Sequence, residues 1–302
     1  MIGLSTVWTS AAARSGESLL QPILDAGITA VELEYRITPQ LYHELLPIIR
    51  GQAIRVLSIH NYFPLPEGVP SEQASGDYFS LASLNREERQ QGVTSTIRTL
   101  ETAHELEARA VVLHLGRVET ELPKDGLQQL YREGRWDDEG QALLTREREE
   151  RARHRAPHLD AVLFSLDTLS KRAEQLGVIL GIENRFYLRE IPDKEEVGII
   201  LDRFQGSPIG YWHDTGHAAA FETLGICSHE ELLRLYSPAL VGTHLHDARG
   251  IDDHRPPGQG EIDFAMVRRY LPDNAIKIME IRQRATGQEV RDALAFLKKT
   301  GY

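Results

Sequence analysis

Thiols, tryptophan and methionine are scarce in this chain: one cysteine, Cys227, with three Trp and three Met. A lone thiol forms no internal disulfide, which excludes the disulfide-stapled small-domain classes. No apolar run approaches the roughly 20 residues that span a bilayer, so no membrane partner is expected. Positive charge is also in deficit, with 34 Lys and Arg against 45 Asp and Glu and a formal net charge of −11. Broad nucleic-acid binding leaves a basic footprint, so this balance argues against nucleic acid as a partner. The N-terminal MIGLSTVWTSAAARSG has an Ala-x-Ala look but lacks a basic region and a long apolar stretch. It reads as a first strand rather than a signal peptide, and a cytoplasmic location is expected.

What is present is ordinary globular composition: 302 residues, 41% hydrophobic and 26% charged. Short apolar runs alternate with helix-period segments from end to end. The strand candidates are 2–5, 30–34, 54–60, 110–116, 178–183, 209–214, 240–246 and 275–280. Several are continuous apolar runs, as parallel strands buried on both faces require. Between them, Gly16 to Asp25 reads as a helix ended by Gly27. Asn85 reads as the cap of a long helix, with Glu88 completing a capping box. Eight strand–helix units in one chain of this length predict a single α/β domain over 1–302, a (β/α)8 TIM barrel. A doubly wound sheet is disfavoured because no Gly-rich nucleotide fingerprint follows the first strand.

Residues 117–156 break the rhythm, entering as a charged helical insertion after strand four. Glu147/Arg151 and Glu149/Arg153 sit at i,i+4, so a solvated helix is the simpler reading. A lid over the barrel mouth is the functional one.

Catalytic residues of TIM barrels come from the C-terminal ends of strands and the loops that follow. Here those ends carry His60, His114, Glu183, Asp214, His244 and Glu280, and the next loops add His217, Asp252 and His254. Any one of them alone reads as a satisfied core or rim residue; jointly the nine predict a metal centre. Asp214-Thr-Gly-His217 turns a carboxylate and an imidazole toward one point, with Gly216 assigned to a tight chain reversal. His246 shares a strand face with His244 and is assigned to orienting a ligand or touching substrate. Oxygen and imidazole donors without thiolate suit Zn²⁺ or Mn²⁺, with Co²⁺, Fe²⁺ or Mg²⁺ as further options.

The motifs Ile182-Glu-Asn-Arg185, His213-Asp-Thr-Gly-His-Ala218, Thr243-His-Leu-His-Asp247, Pro257-Gly-Gln-Gly-Glu-Ile-Asp263 and Met279-Glu280 occur in that order. Together they resemble the xylose-isomerase-like TIM barrels, a group that holds sugar and sugar-phosphate isomerases and epimerases and endonuclease IV. Resemblance to the ketose 3-epimerases implies metal-ligand roles for Glu183, Asp214, His244 and Glu280, and substrate contact for His217. Resemblance to endonuclease IV implies ligand roles for all nine residues around as many as three zinc ions. The chain departs from the epimerases in the spacing from Glu183 to Glu190. It departs from endonuclease IV in carrying His246 where that enzyme has Asn, in the insertion, and in lacking its basic DNA-contacting loops.

Three functions follow as expectations. The favoured one is a divalent-metal-dependent isomerase or epimerase acting on a small sugar or sugar phosphate. Glu183 and Glu280 would move the proton through an enediolate, and Arg185, His217, His246 and Trp8 would contact substrate, with Phe63 beside Trp8 as a stacking surface. The alternative is endonuclease IV-like zinc-dependent phosphoester hydrolysis. The third is a barrel that binds metal and a sugar acid without turnover. The Gly258-Gln-Gly260 turn is a weak phosphate signal, and a homo-oligomer is left open.

Overall fold

A computed structural model describes residues 1–302. Its strands are β1 (Ile2–Ser5), β2 (Ala30–Leu33), β3 (Arg55–His60), β4 (Ala110–Leu113), β5 (Ile179–Glu183), β6 (Ile209–Asp214), β7 (Leu240–Leu245), β8 (Asp247–Arg249), β9 (Asp252–Arg255) and β10 (Ile276–Met279). Eight of them close a parallel barrel in the order β1-β10-β7-β6-β5-β4-β3-β2, while β8 and β9 form an antiparallel hairpin in the loop after β7. The expected TIM barrel is what the chain forms, with the segment Ile2–Ser5 as its first strand. No helix is long and apolar enough to cross a membrane.

Each barrel strand is followed, before the next, by a helix that begins on a side-chain cap. Ser15, Thr38, Asn85, Asp137, Asp193, Asp214, Asp263 and Thr286 each accept a hydrogen bond from a first-turn amide. Such caps contribute about 1 kcal/mol each. At Asn85 the capping box does not close: Glu88 instead takes Ser80 N–H at 3.2 Å and Ser83 Oγ at 2.7 Å. A core cluster of 48 buried residues fills the space around the barrel and its helices.

Inside the barrel, residues alternate in direction along each strand. Ala30, Ala110, Val112, Trp212, Ile276 and Ile278 pack as an apolar layer. Trp212 fills this layer because Gly242 leaves it room; a Cβ there would overlap its ring. Two residues further on, the same inward positions carry Glu32, His114, Asp214 and Glu280. Period-two geometry therefore stacks charge at the C-terminal mouth upon an apolar floor.

The insertion differs from expectation at its far end. After a short helix over Gly126–Arg132, one helix of 39 residues runs from Asp138 to Leu176, so the segment's second half merges with the fourth barrel helix. At 1.5 Å per residue it is about 58 Å long. Neither expected i,i+4 pair forms. Arg153 pairs with Glu150, and Arg151 is buried against residues 188–196. Buried carboxylates and carbonyls offer Arg151 more than a solvated glutamate can.

Candidate metal centre

Glu183, Asp214, His244 and Glu280 each present one donor atom, and these four atoms lie within 4.8 Å of one another. All four residues are buried. His244 Nδ1 is 2.7 Å from Glu183 Oε1, 3.2 Å from Glu280 Oε2 and 3.7 Å from Asp214 Oδ2. Its other nitrogen, Nε2, donates to Glu32, whose oxygens stand at 3.1 and 3.2 Å. Ser58 Oγ donates to the same carboxylate at 2.8 Å. Glu32 thereby fixes the ring orientation and turns Nδ1 toward the other three candidate donors.

Asp214 is held from two sides. Its Oδ1 accepts from His217 N–H at 2.7 Å, capping the helix Thr215–Thr223, and its Oδ2 is 2.8 Å from His246 Nε2. His246 is fully buried, and its Nδ1 accepts from His254 N–H at 2.8 Å. Both nitrogens are thus engaged, Nε2 with Asp214 and Nδ1 with the hairpin backbone, and His246 also stands with His254 and Glu280 in a second group of potential metal donors. Gly216 lies within the helix rather than in a reversal. Its value is space, since a Cβ there would collide with the His246 ring.

Two further groups adjoin this centre. His114 Nε2 is 2.8 Å and His60 Nε2 3.7 Å from Glu183 Oε2, so Glu183 faces His244 with one oxygen and these two histidines with the other. Their distal nitrogens are held by Asp77 at 2.8 Å and by Asn61 O at 2.9 Å. Across the mouth, His217 donates Nδ1–H to Asn184 O at 3.0 Å and aims Nε2 at Asp253, 4.0 Å away. Asp253 lies 3.2 Å from His254 Nδ1, and His254 Nε2 is 3.8 Å from Glu280.

Asp252 is not brought to this group. It faces outward, 2.6 Å from Arg255 and 3.2 Å from Arg282, and Asp253 takes the inner place. Neighbouring strand residues point to opposite faces, so only one of the two aspartates can face the mouth. His254 joins Asp253 on the inner side because its φ of 53° breaks the alternation. A non-glycine residue in that region costs roughly 1–2 kcal/mol, a strain typical of functional positions.

Other expected contacts also lie elsewhere. Trp8 donates its indole N–H to Ala285 O at 2.8 Å and packs in the core, as does Phe63 against Tyr42. The Gly258–Gly260 turn is already filled by an anion, the Asp247 carboxylate. It accepts from Gly258 and Gly260 N–H at 2.9 and 2.8 Å and from Ile262 N–H at 3.1 Å. No amide there is free for a phosphate.

The mouth holds a cavity of about 330 Å³, within the range of ligand pockets. Its floor includes His60, His114, Glu183, His217, His254 and Glu280, and its walls include Tyr35, Phe186, Tyr187, Lys124, Arg132 and Arg185. Arg185 reaches Asp77 at 2.9 Å, Glu190 at 3.3 Å and Glu183 at 3.4 Å. Glu32, Asp77, Asp253, Lys124 and Arg132 escaped the sequence reading. A charged residue in the apolar run Ala30–Leu33 was a usable signal for Glu32; nothing local marked the others.

The electrostatics of the site call for positive charge. Burial pushes Glu183 up, but the His244 charge and hydrogen bonds from His114 and His244 hold it well below the usual range. Burial and Arg185 press His114 down, while Asp77 and the Glu183 contact raise it to about 9. His254 is likewise pressed down by burial and raised by Asp253 to about 10. Protonated imidazoles are the protein's own answer to these carboxylates. A divalent cation held by these residues would balance the same carboxylates, since ligands bind metal deprotonated. Three carboxylates and one imidazole around one point, none of them thiolate, fit Zn²⁺ or Mn²⁺.

Comparison with known proteins agrees with this architecture. A family model described as "Xylose isomerase-like TIM barrel" matches residues 20–300. Among solved structures, a D-tagatose 3-epimerase-like protein is 20% identical with a TM-score of 0.69, covering 99% of this chain and 96% of its own. The 3-keto-D-glucoside 4-epimerase of E. coli is 17% identical with a TM-score of 0.68, covering 99% and 98%. A Thermus thermophilus protein soaked with ZnCl₂ is 21% identical with a TM-score of 0.61, covering 99% and 97%. At these identities the likeness is one of fold. None of the curated proteins matches by sequence.

Proposed function

Because the chain belongs to the xylose isomerase-like TIM-barrel family, we propose that it is a divalent-metal-dependent isomerase or epimerase of a small sugar or sugar derivative, transferring a proton through an enediolate. The observation that carries this reading is the convergence of Glu183 and Glu280, which line the cavity, with the buried donors Asp214 and His244. Sugar epimerases among the structural neighbours support it. Those four residues would hold the ion, Zn²⁺ or Mn²⁺ by donor type. When bound, such an ion polarises a carbonyl and its neighbouring hydroxyl as a Lewis acid.

The remaining work belongs to the side chains. Glu183 and Glu280 come from β5 and from the end of β10, separate parts of the barrel wall, so one removes the carbon-bound proton and the other returns it. His217 presents its free Nε2 to a substrate hydroxyl. Arg185, tied to three carboxylates, holds Glu183 and Glu190 in place more than it meets substrate. Tyr35, Phe186 and Tyr187 supply the apolar walls expected of Trp8 and Phe63.

The test is uptake of solvent deuterium at the carbon beside the carbonyl, across a panel of ketoses, with metal-loaded protein. Exchange should occur with at least one sugar and vanish in Glu183→Gln and Glu280→Gln, with one ion bound per wild-type chain. No exchange with any sugar would refute the proposal.

A second reading rests on His60 and His114, which give Glu183 Oε2 a metal-binding group of its own. Two or more ions clamping a phosphate would suit phosphoester hydrolysis. Two or three zinc ions per chain, together with incision of an abasic-site duplex, would put this reading first.

A further inference from the structure

The insertion brings two cations to the mouth besides the barrel's own Arg185. Lys124 precedes the short helix Gly126–Arg132 and Arg132 ends it, and both line the cavity above the charged floor. Their platform is anchored. Leu127 and Leu144 pack with Leu188, Leu224 and Ile251 in a small buried cluster, and Gln128 donates to Phe186 O at 3.3 Å.

The three cations of the cavity differ in how they are balanced. Arg185 is neutralised by Asp77, Glu190 and Glu183. Lys124 and Arg132 make no ion pair; Lys124 Nζ lies 4.7 Å from the centre of the Tyr187 ring. The floor, by contrast, is taken on the isomerase reading by the metal ion and the carbonyl end of the substrate. An anionic group entering this cavity therefore has one favourable place, the rim beside Tyr187, and desolvation on binding strengthens the attraction.

We propose that the substrate carries an oxyanion, a phosphate or a carboxylate, at the end remote from its carbonyl, and that Lys124 and Arg132 receive it. This deepens the isomerase reading and rests on it for the direction in which the substrate lies. The insertion thus reads the charge of the substrate, while the barrel residues act on its carbonyl end. The net charge of −11 does not oppose this, because local cations focus an anion at the mouth over short range.

The test uses matched ketoses on the metal-loaded protein: D-fructose, D-fructose 6-phosphate and D-fructuronate, with binding measured by calorimetry. At least one charged ketose should bind tenfold or more tightly than D-fructose. That advantage should shrink with added salt and disappear in the Lys124→Gln/Arg132→Gln double variant. Preference for the 6-phosphate identifies the group as phosphate, and preference for fructuronate identifies a carboxylate. Equal affinities, no binding of either charged ketose at millimolar concentration, or an advantage kept in the double variant overturn the proposal. Binding is read without turnover. A charge preference without deuterium exchange on any sugar would thus refute the isomerase reading and leave the oxyanion subsite standing.

Discussion

On the outer side of residues 184–193, Arg151 donates to Leu188 O at 2.8 Å and Glu190 O at 3.0 Å, and meets Asp193 at 2.6 Å and Glu196 at 2.5 Å. On the inner side, Glu183, Asp214 and Glu280 converge on one imidazole, with Glu32 behind it. Both clusters are buried and both are full of carboxylates. The difference lies in compensation: the outer cluster is centred on a permanent cation whose nitrogens all have partners, whereas the inner one is centred on an imidazole, with its permanent cation, Arg185, 3.4 Å from Glu183 at the edge. A buried ion network centred on a permanent cation reads as structure; one centred on histidines and carboxylates is a candidate cation site.

Removing the permanent cation should have the larger effect on folding. Arg151→Ala leaves Glu196 and Asp193 without their partner and frees the carbonyls at 188 and 190. We expect a loss of about 3–5 kcal/mol, the usual result of breaking a buried pair from one side, read from denaturant midpoints. A loss below about 1 kcal/mol would show that the outer cluster is not closed in the way its geometry indicates.

The inner cluster is probed best through the carboxylate behind the ligand. Glu32→Gln keeps the shape but weakens its grip on His244 Nε2–H, so metal affinity should fall about 10- to 100-fold. Competition against a metallochromic chelator measures this directly. Unchanged affinity would mean that Glu32 does not orient His244.

The smallest effect concerns the imperfect edge of the outer cluster. Glu147 lies one turn before Arg151, with Oε1 buried and unpartnered, and Arg189 Nε is unpartnered nearby. Burial, partly offset by Arg189, raises Glu147 from 4.5 to about 7. Between those values the folded chain holds a proton that the unfolded chain has lost, so stability falls as pH rises through that window. Glu147→Gln should flatten the Tm difference between pH 5 and pH 8 relative to wild type. Identical differences would remove Glu147 from the account.

Much of this was legible in the sequence. The eight strands were readable because buried parallel strands are short apolar runs, and the candidate donors at the mouth because they stand at the ends of those runs. The errors have a common cause. Asp252 and Asp253 are adjacent and chemically alike, and no local rule says which faces the mouth. His246 reads equally as orienting a ligand or touching substrate, and only the fold brings its nitrogens to Asp214 and the hairpin backbone. Gly258 and Gly260 look like a phosphate turn until Asp247 is found inside it. The i,i+4 pairs of the insertion were plausible in an isolated helix, and a buried network won Arg151 instead.

Sequence alone therefore determined the barrel and the set of donors at its mouth, because both follow from short-range periodicity: alternation along a strand and repetition of strand and helix. Only the tertiary structure decided which donors meet and which charges remain uncompensated. Glu32 finds His244 across 212 residues of chain, and Lys124 and Arg132 reach the cavity only because the insertion packs beside Phe186. Contacts of that range are set by closure of the barrel and by the packing of the insertion upon it, and no local pattern encodes them.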